Sequence, residues 1–141
     1  MMQSLSMKEL FVGQKAEKEF LVTQETGIAY AEVSQDKNPL HLDAEYAKKT
    51  RFGKKIAHGM LMGGYISSLI GMELPGEGSI YMKQELTFLR PVYYGDTVRV
   101  EIAVIELQEE KKRAVLSTNC YNQKGEQVIA GSALVKPKEE Q

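Results

Sequence analysis

The sequence predicts an α+β fold in which one antiparallel sheet packs against one long apolar helix. The first observation is an uncharged run of 17 residues, 56–72, which suits a helix buried inside the protein. The second is the change after Pro75 and Gly76 to segments rich in β-branched and aromatic residues. The third is that only tight turns separate the later segments, which excludes the crossover connections of parallel strands.

The first half of the chain predicts short elements that lead into the apolar helix. In chain order they are a strand at 18–23, a helix from Thr23 to about Ser34, a polar loop at 35–43, a short helix at 44–48, a basic loop at 48–55 and the apolar helix at roughly 59–72. Thr23 and Asp43 are residue types that cap helix N-termini, which sets the starts of the two shorter helices.

The second half predicts four strands, at 79–88, 96–107, 113–121 and 127–135. In the second of these, apolar residues alternate with Arg99 and Glu101, which is typical of a half-buried strand; they are Val98, Val100, Ile102 and Val104. The last three strands are predicted to form an antiparallel meander, because only tight turns connect them. A single sheet around one helix leaves an outer face exposed, so we expect a homodimer.

Composition excludes several function classes. The net charge of −1 gives no basic surface for nucleic acid. The run 56–72 contains four glycines, two serines and a histidine and is a poor membrane span. The single cysteine, Cys120, cannot form a disulfide within the chain and suits a cytoplasmic location. With a single cysteine no structural zinc site is expected, and no nucleotide cofactor is expected, since no Walker or GxGxxG motif is present.

Asp36 and His41 are the first candidates for chemistry. A carboxylate and an imidazole five residues apart, on a loop constrained by Pro39, can converge on one point and act as an acid–base pair on a water molecule. Taken alone, the segment also fits an Asx turn with a structural histidine.

Gly59 is the next candidate, at the start of the apolar helix. A glycine at a helix N-terminus offers an uncrowded backbone N–H at the positive end of the helix dipole, which suits a developing oxyanion. The alternative is that Gly59 permits a tight turn or close packing. Gly63, four residues further along, supports that alternative.

Three segments together resemble the MaoC-like (R)-hydratase family. Residues 36–43 match its motif Asp-x-Asn-Pro-x-His-x-Asp in full, and 52–60 and 78–81 resemble two further segments. Residues 87–98 are similar to the family's sheet segment Phe-x-x-Pro-Val-x-x-Gly-Asp. The resemblance implies one hot-dog domain across 1–141, with 1–14 and 136–141 peripheral, and hydration of trans-2-enoyl-CoA to (R)-3-hydroxyacyl-CoA.

The resemblance also implies roles for individual residues. Asp36 and His41 would hold the catalytic water, and the Gly59 N–H would bind the thioester oxygen. Asn38 would organise the loop at the substrate, Asp43 would be a helix cap, and His58 would fix the turn before the helix.

The helix suggests a preference for short acyl chains. At 100° per residue, several positions return to the face of Gly59 and could line an acyl pocket; these are Gly63, Ile66, Ser67 and Ile70. Ile70 would form the floor. The alternative is that both isoleucines pack only against the sheet.

Two other functions remain open from the sequence. A hot-dog thioesterase would cleave the thioester, and a non-catalytic module would only bind it. The substrate carrier is also open between CoA and acyl carrier protein. A basic run could meet either, although a solvated loop explains it too; it comprises Lys48, Lys49, Arg51, Lys54 and Lys55.

Overall fold

The computed structural model describes residues 2–139 and contains five strands and four α-helices in that range. The strands are β1 (Lys15–Leu21), β2 (Ile80–Phe88), β3 (Thr97–Gln108), β4 (Arg113–Tyr121) and β5 (Gln127–Lys136). The helices are α1 (Gln24–Ser34), α2 (Pro39–Leu42), α3 (Ala44–Lys48) and α4 (Gly59–Met72).

The five strands form one antiparallel sheet in the order β1-β3-β4-β5-β2. The meander of β3, β4 and β5 is as predicted, and the two earlier strands close its two sides. β2 is therefore an edge strand, and it comes directly after α4 in the chain. The α+β class is confirmed, and one long helix on one antiparallel sheet is the hot-dog arrangement that the resemblance implied.

Helix α4 packs its apolar side against the concave face of the sheet. Its buried residues are Leu61, Met62, Ile66, Leu69 and Ile70. They meet the alternating residues of β3, where Val98, Val100 and Ile102 are fully buried. Burying one such side chain stabilises the fold by about 1.5–3 kcal/mol, so this contact anchors α4 on the sheet.

Both predicted helix caps are present. The Thr23 hydroxyl accepts the N–H of Thr26 at 3.1 Å. The Asp43 carboxylate accepts the N–H groups of Glu45 and Tyr46. These bonds satisfy amides that have no partner inside a helix.

The prediction of a polar loop across 35–43 was wrong in one part, because Pro39–Leu42 forms the short helix α2. Asn38 is its N-cap, and the Asn38 side-chain oxygen accepts the N–H of Leu40 at 3.1 Å. Pro39 occupies the first helical position, where its fixed φ and missing N–H are tolerated. Local capping chemistry thus turns part of an expected loop into one helical turn.

The N-terminal segment lies against the domain. Strand β1 starts at Lys15, three residues before the predicted start. Leu10 is buried in the core, and the N–H of Gln3 donates to the carbonyl of Met72 at 2.7 Å. The expectation of peripheral ends at 1–14 and 136–141 also includes residues 1, 140 and 141, which lie outside the described residues.

Within residues 2–139, α4 and the other helices are all too short or too polar to cross a membrane.

We expect Leu69→Ala to lower the free energy of unfolding by about 2–5 kcal/mol, because it leaves a cavity between α4 and the sheet. Leu69 is 1% exposed. Urea denaturation at one fixed protein concentration measures the change. Ser68→Ala, on the exposed side of the same helix, is the control and should stay within roughly 0.5 kcal/mol of the wild type. Equal losses in both variants would contradict this packing.

Candidate active site

The loop that carries Asp36 starts where α1 ends. Gln35 adopts a left-handed conformation with φ of 64°, which turns the chain sharply out of the helix. The Asp36 carboxylate then accepts the N–H of Asn38 at 3.3 Å, and Asn38 caps α2. Two successive side-chain-to-backbone bonds therefore fix the path from Asp36 to His41. This agrees with the expectation that Asn38 organises the loop.

Asp36, His41 and His58 meet at one point. One carboxylate oxygen of Asp36 and one ring nitrogen of each histidine lie within 4.8 Å of one another. Asp36 is exposed, His41 is half-buried and His58 is buried. The predicted pair, Asp36 and His41, is thus brought together at the edge of solvent, with His58 behind it.

A backbone carbonyl determines the tautomer of His41. The Nδ1 atom of His41 lies 2.9 Å from the carbonyl oxygen of Ile56. A carbonyl only accepts, so Nδ1 carries the proton and donates it. In the neutral ring, Nε2 is left with a lone pair, which is the form that can take a proton from water.

The surroundings of His41 also favour its neutral form. Burial lowers the pKa of His41 below its ordinary value of 6.5. The bond to the Ile56 carbonyl raises the pKa and offsets part of this effect; His58 lowers it further, and Asp36 raises it. His41 is therefore a base that is ready to accept a proton at neutral pH.

His58 connects the loop to the start of α4. Its Nε2 donates to the backbone carbonyl of Asp36 at 2.9 Å, and its ring stacks on His41 with centroids 3.9 Å apart. The expectation that His58 fixes the turn before the helix agrees with these contacts, but the turn also includes Asp36 and His41.

Gly59 is the first residue of α4, so its N–H has no acceptor inside the helix. The His58 side chain makes no capping bond to the helix. A Cβ at Gly59 would lie 2.7 Å from two ring carbons of Phe88, which is too close. Only glycine fits between the Phe88 ring and the helix, and its N–H stays available to an anion.

A cavity of 260 Å³ opens beside His41 and Gly59. Apolar side chains from α4, β5 and the segment before β3 form much of its wall, and Arg51 and Arg90 also line it. Among the lining residues are Phe52, Met62, Phe88, Val92 and Ile129. A thioester carbonyl placed at Gly59 would therefore have an apolar space on one side and cationic groups nearby.

The helix residues expected to line an acyl pocket have different surroundings. Ile66 and Ile70 are buried in the core against the sheet. Gly63 is half-buried beside Leu86, and Ser67 is exposed. Of the residues on this helix, Gly59 and Met62 line the cavity. The assignment of the other four to the acyl chain stays a prediction.

Tyr94 and Phe88 contribute to the site without having been predicted. The Tyr94 hydroxyl donates to the carbonyl of His41 at 2.9 Å, and its ring fills the space above Gly27, where a Cβ would collide with it. Both residues lie in the segment 87–98, whose resemblance to the family was the available signal. That signal identified a sheet segment and gave no role to either side chain.

The basic run disperses around the site. Arg51 lines the cavity, whereas Lys55 bonds to Gln24 at 2.7 Å and Lys54 lies 4.7 Å from the centre of the Tyr93 ring. Arg51 is thus the member of the run placed to meet an anionic group of a bound thioester.

The three side chains at 36, 41 and 58 also have the composition of a metal site. The carbonyl bonds of His41 Nδ1 and His58 Nε2 commit one nitrogen of each ring to hydrogen bonding. The lone-pair nitrogens that remain are Nε2 of His41 and the buried Nδ1 of His58.

Comparison with known proteins matches this chain to named enzymes. The (R)-specific enoyl-CoA hydratase of Aeromonas caviae is 43% identical over 132 residues, 94% of this chain and 98% of that protein. The 3-hydroxybutyryl-CoA dehydratase of Methylorubrum extorquens is 44% identical over 115 residues, 81% of this chain and 73% of that protein. These relatives are hydro-lyases.

The solved structures agree. The unliganded R-hydratase of Pseudomonas aeruginosa superimposes with a TM-score of 0.93 at 45% identity, covering 99% of this chain and 89% of that one. The MaoC like domain family matches residues 11–124, which confirms the resemblance found in the sequence. This chain belongs to the MaoC-like domain family.

Proposed function

We propose that this chain is an (R)-specific enoyl-CoA hydratase, which adds water to a trans-2-enoyl-CoA and gives the (R)-3-hydroxyacyl-CoA, or catalyses the reverse dehydration. The observation that carries the proposal is that His41 and Gly59 line one cavity and that the Asp36 carboxylate lies beside His41. A thioester oxygen, a water molecule and an acyl chain each have a matching group there. The names of the relatives at 43–44% identity support the same reaction.

In the proposed mechanism, Asp36 and His41 hold one water on one face of the double bond. His41 Nε2 takes a proton from the water as its oxygen bonds to C3, and the electron pair of the double bond moves toward the thioester oxygen. The Gly59 N–H stabilises the charge on that oxygen. The proton then goes to C2 on the same face, so that one water supplies both groups and the addition is syn.

We also propose a short acyl chain. The cavity of 260 Å³ is below the range of about 300–1,000 Å³ typical of pockets for drug-sized ligands.

Arg51 and Arg90 at this cavity suit the phosphates of CoA, and an acyl carrier protein is the alternative carrier. Cys120 is a buried free thiol, in keeping with the cytoplasmic location expected from the sequence.

A homodimer is part of the proposal. β2 is an edge strand of nine residues, and an edge strand presents unpaired N–H and C=O groups that can pair with another chain. Large hydrophobic side chains are exposed along β2 and at the two ends of α4; they are Ile80, Met82, Phe88, Met60 and Met72. We call these five residues the β2 patch and propose that it pairs with the same patch of a second protomer.

Crotonyl-CoA tests the reaction. We expect the enoyl absorbance to fall without release of free thiol; thiol release would identify a thioesterase, and no change in either signal would identify a binding module.

Asp36→Asn and His41→Ala should each lower kcat by about 10²–10⁴-fold. Their losses should not add in the double variant, because both residues act on one water.

Asp43→Asn is the matched control, since asparagine caps a helix about as well as aspartate. It should keep wild-type kcat. Near-normal kcat in the Asp36→Asn variant would show that Asp36 has no part in the mechanism.

The hydration rate should depend on the protonation of His41. Because burial lowers its pKa below 6.5 and the neutral ring is the base, the acid limb of kcat/KM should have its midpoint below pH 6.5. A pH profile with crotonyl-CoA measures this acid limb. A limb centred above 6.5 would contradict the assignment of His41 as the base.

Light scattering tests the dimer. The wild type should have twice the chain mass of 15.8 kDa. Met82→Lys should shift the protein toward the single-chain mass, because it places a charge in the β2 patch. Val33→Lys, at an 81% exposed position on α1, is the control and should not. A monomeric wild type at micromolar concentration would refute the dimer.

A further inference from the structure

His58 contacts both members of the proposed acid–base pair, and the mechanism above gives it no part. Its Nε2–H donates to the carbonyl of Asp36 at 2.9 Å, and the same nitrogen lies 4.0 Å from the Asp36 carboxylate. Its ring stacks on His41. The next residue in the chain is Gly59, so His58 lies beside all three groups of the site.

We infer that His58 is a positioning residue, whose Nε2–H holds Asp36 at the distance from His41 that one shared water requires. The inference rests on the proposed hydration and adds to it a residue that need not touch the substrate. His58 is 2% exposed and is absent from the residues that line the cavity in the described chain. His58 therefore acts through the residues that it contacts, and its hydrogen bond goes to Asp36.

The unsatisfied side of the His58 ring supports this role. Its Nδ1 is buried without a hydrogen-bond partner within residues 2–139. A buried acceptor without a partner is unfavourable, and an apolar side chain of similar size would avoid it. Stability alone therefore does not account for an imidazole here, whereas the donor at Nε2 has a specific acceptor at Asp36.

The other hydrogen bonds of the site tie His41 to distant segments, whereas those of Asp36 stay near it in the chain: its N–H donates to the Ser34 hydroxyl at 3.1 Å. His41 is bonded through its ring to Ile56 and through its carbonyl to Tyr94. Asp36 lies on an exposed loop, where its carboxylate accepts the N–H of Asn38 within the same loop. The bond from His58 is the one that joins Asp36 to the start of α4.

The effect can be measured by exchanging the donor at position 58. His58→Leu removes it, and His58→Gln returns an amide N–H at a similar reach. We expect His58→Leu to lower kcat on the order of 10²-fold, the loss typical of a displaced catalytic group, with KM little changed. His58→Gln should recover most of kcat. Equal losses in both variants would overturn the inference.

A second readout does not depend on activity. The chain has two histidines, so His41 gives the single histidine signal in any His58 variant, and its pKa can be followed by NMR. The groups that face His41 are Asp36 and His58, with Arg51 and Arg90 on the same cavity. Asp36 raises the pKa of His41, so a carboxylate that is held in place should leave that pKa higher.

We therefore expect a higher His41 pKa in His58→Gln than in His58→Leu, and no such difference when Asp36→Asn is added to both. Identical values in the two single variants would refute the positioning role. If the wild type did not hydrate crotonyl-CoA but this difference remained, the proposed function would fail and the positioning of Asp36 would stand.

Two further variants control for loss of the folded structure. Thr118→Val removes the other buried polar side chain, in β4, and should keep wild-type kcat and His41 pKa. If His58→Leu does not fold, His58→Asn replaces it, because its shorter amide does not reach the Asp36 carbonyl. His58→Asn should then match the losses expected of His58→Leu, and wild-type activity in this variant would contradict the inference.

Discussion

Two side-chain hydrogen bonds join the loop of Asp36 and His41 to the segment that leads into α4, and they run in opposite directions. His41 on the loop donates to the carbonyl of Ile56, and His58 before the helix donates to the carbonyl of Asp36. The two rings stack between these bonds. The geometry of the proposed site depends on this reciprocal pair, because the two bonds join segments that are 15 and 22 residues apart in the chain.

The same bonds determine the chemistry of the rings. A carbonyl acceptor at Nδ1 of His41 leaves Nε2 as the lone-pair nitrogen, and burial against His58 keeps the ring neutral. A hydrogen bond that places a side chain thus also selects its tautomer. The base and its orientation follow from one backbone contact.

The packing of α4 supplies the second constraint. Five buried side chains hold this helix on the sheet, and its N-terminus is therefore a rigid position for the Gly59 N–H. Phe88 of β2 covers Gly59 closely enough to exclude any Cβ. Since β2 is also the edge strand in the proposed dimer interface, the proposed oxyanion site and the proposed subunit contact share a strand.

The sequence by itself determined the fold class, the two caps at Thr23 and Asp43, and the positions of α4 and the meander. These features depend on periodicity and on capping residues, which act over a few neighbours in the chain. The motif at 36–43 also predicted Asp36 and His41 as a pair. Only the tertiary structure decided the partners of that pair, because Ile56, His58 and Tyr94 approach it through contacts between distant segments. The sequence likewise did not predict that Met62 and Ile129 line the cavity, since a buried apolar residue has the same local sequence pattern whether it faces a cavity or the core.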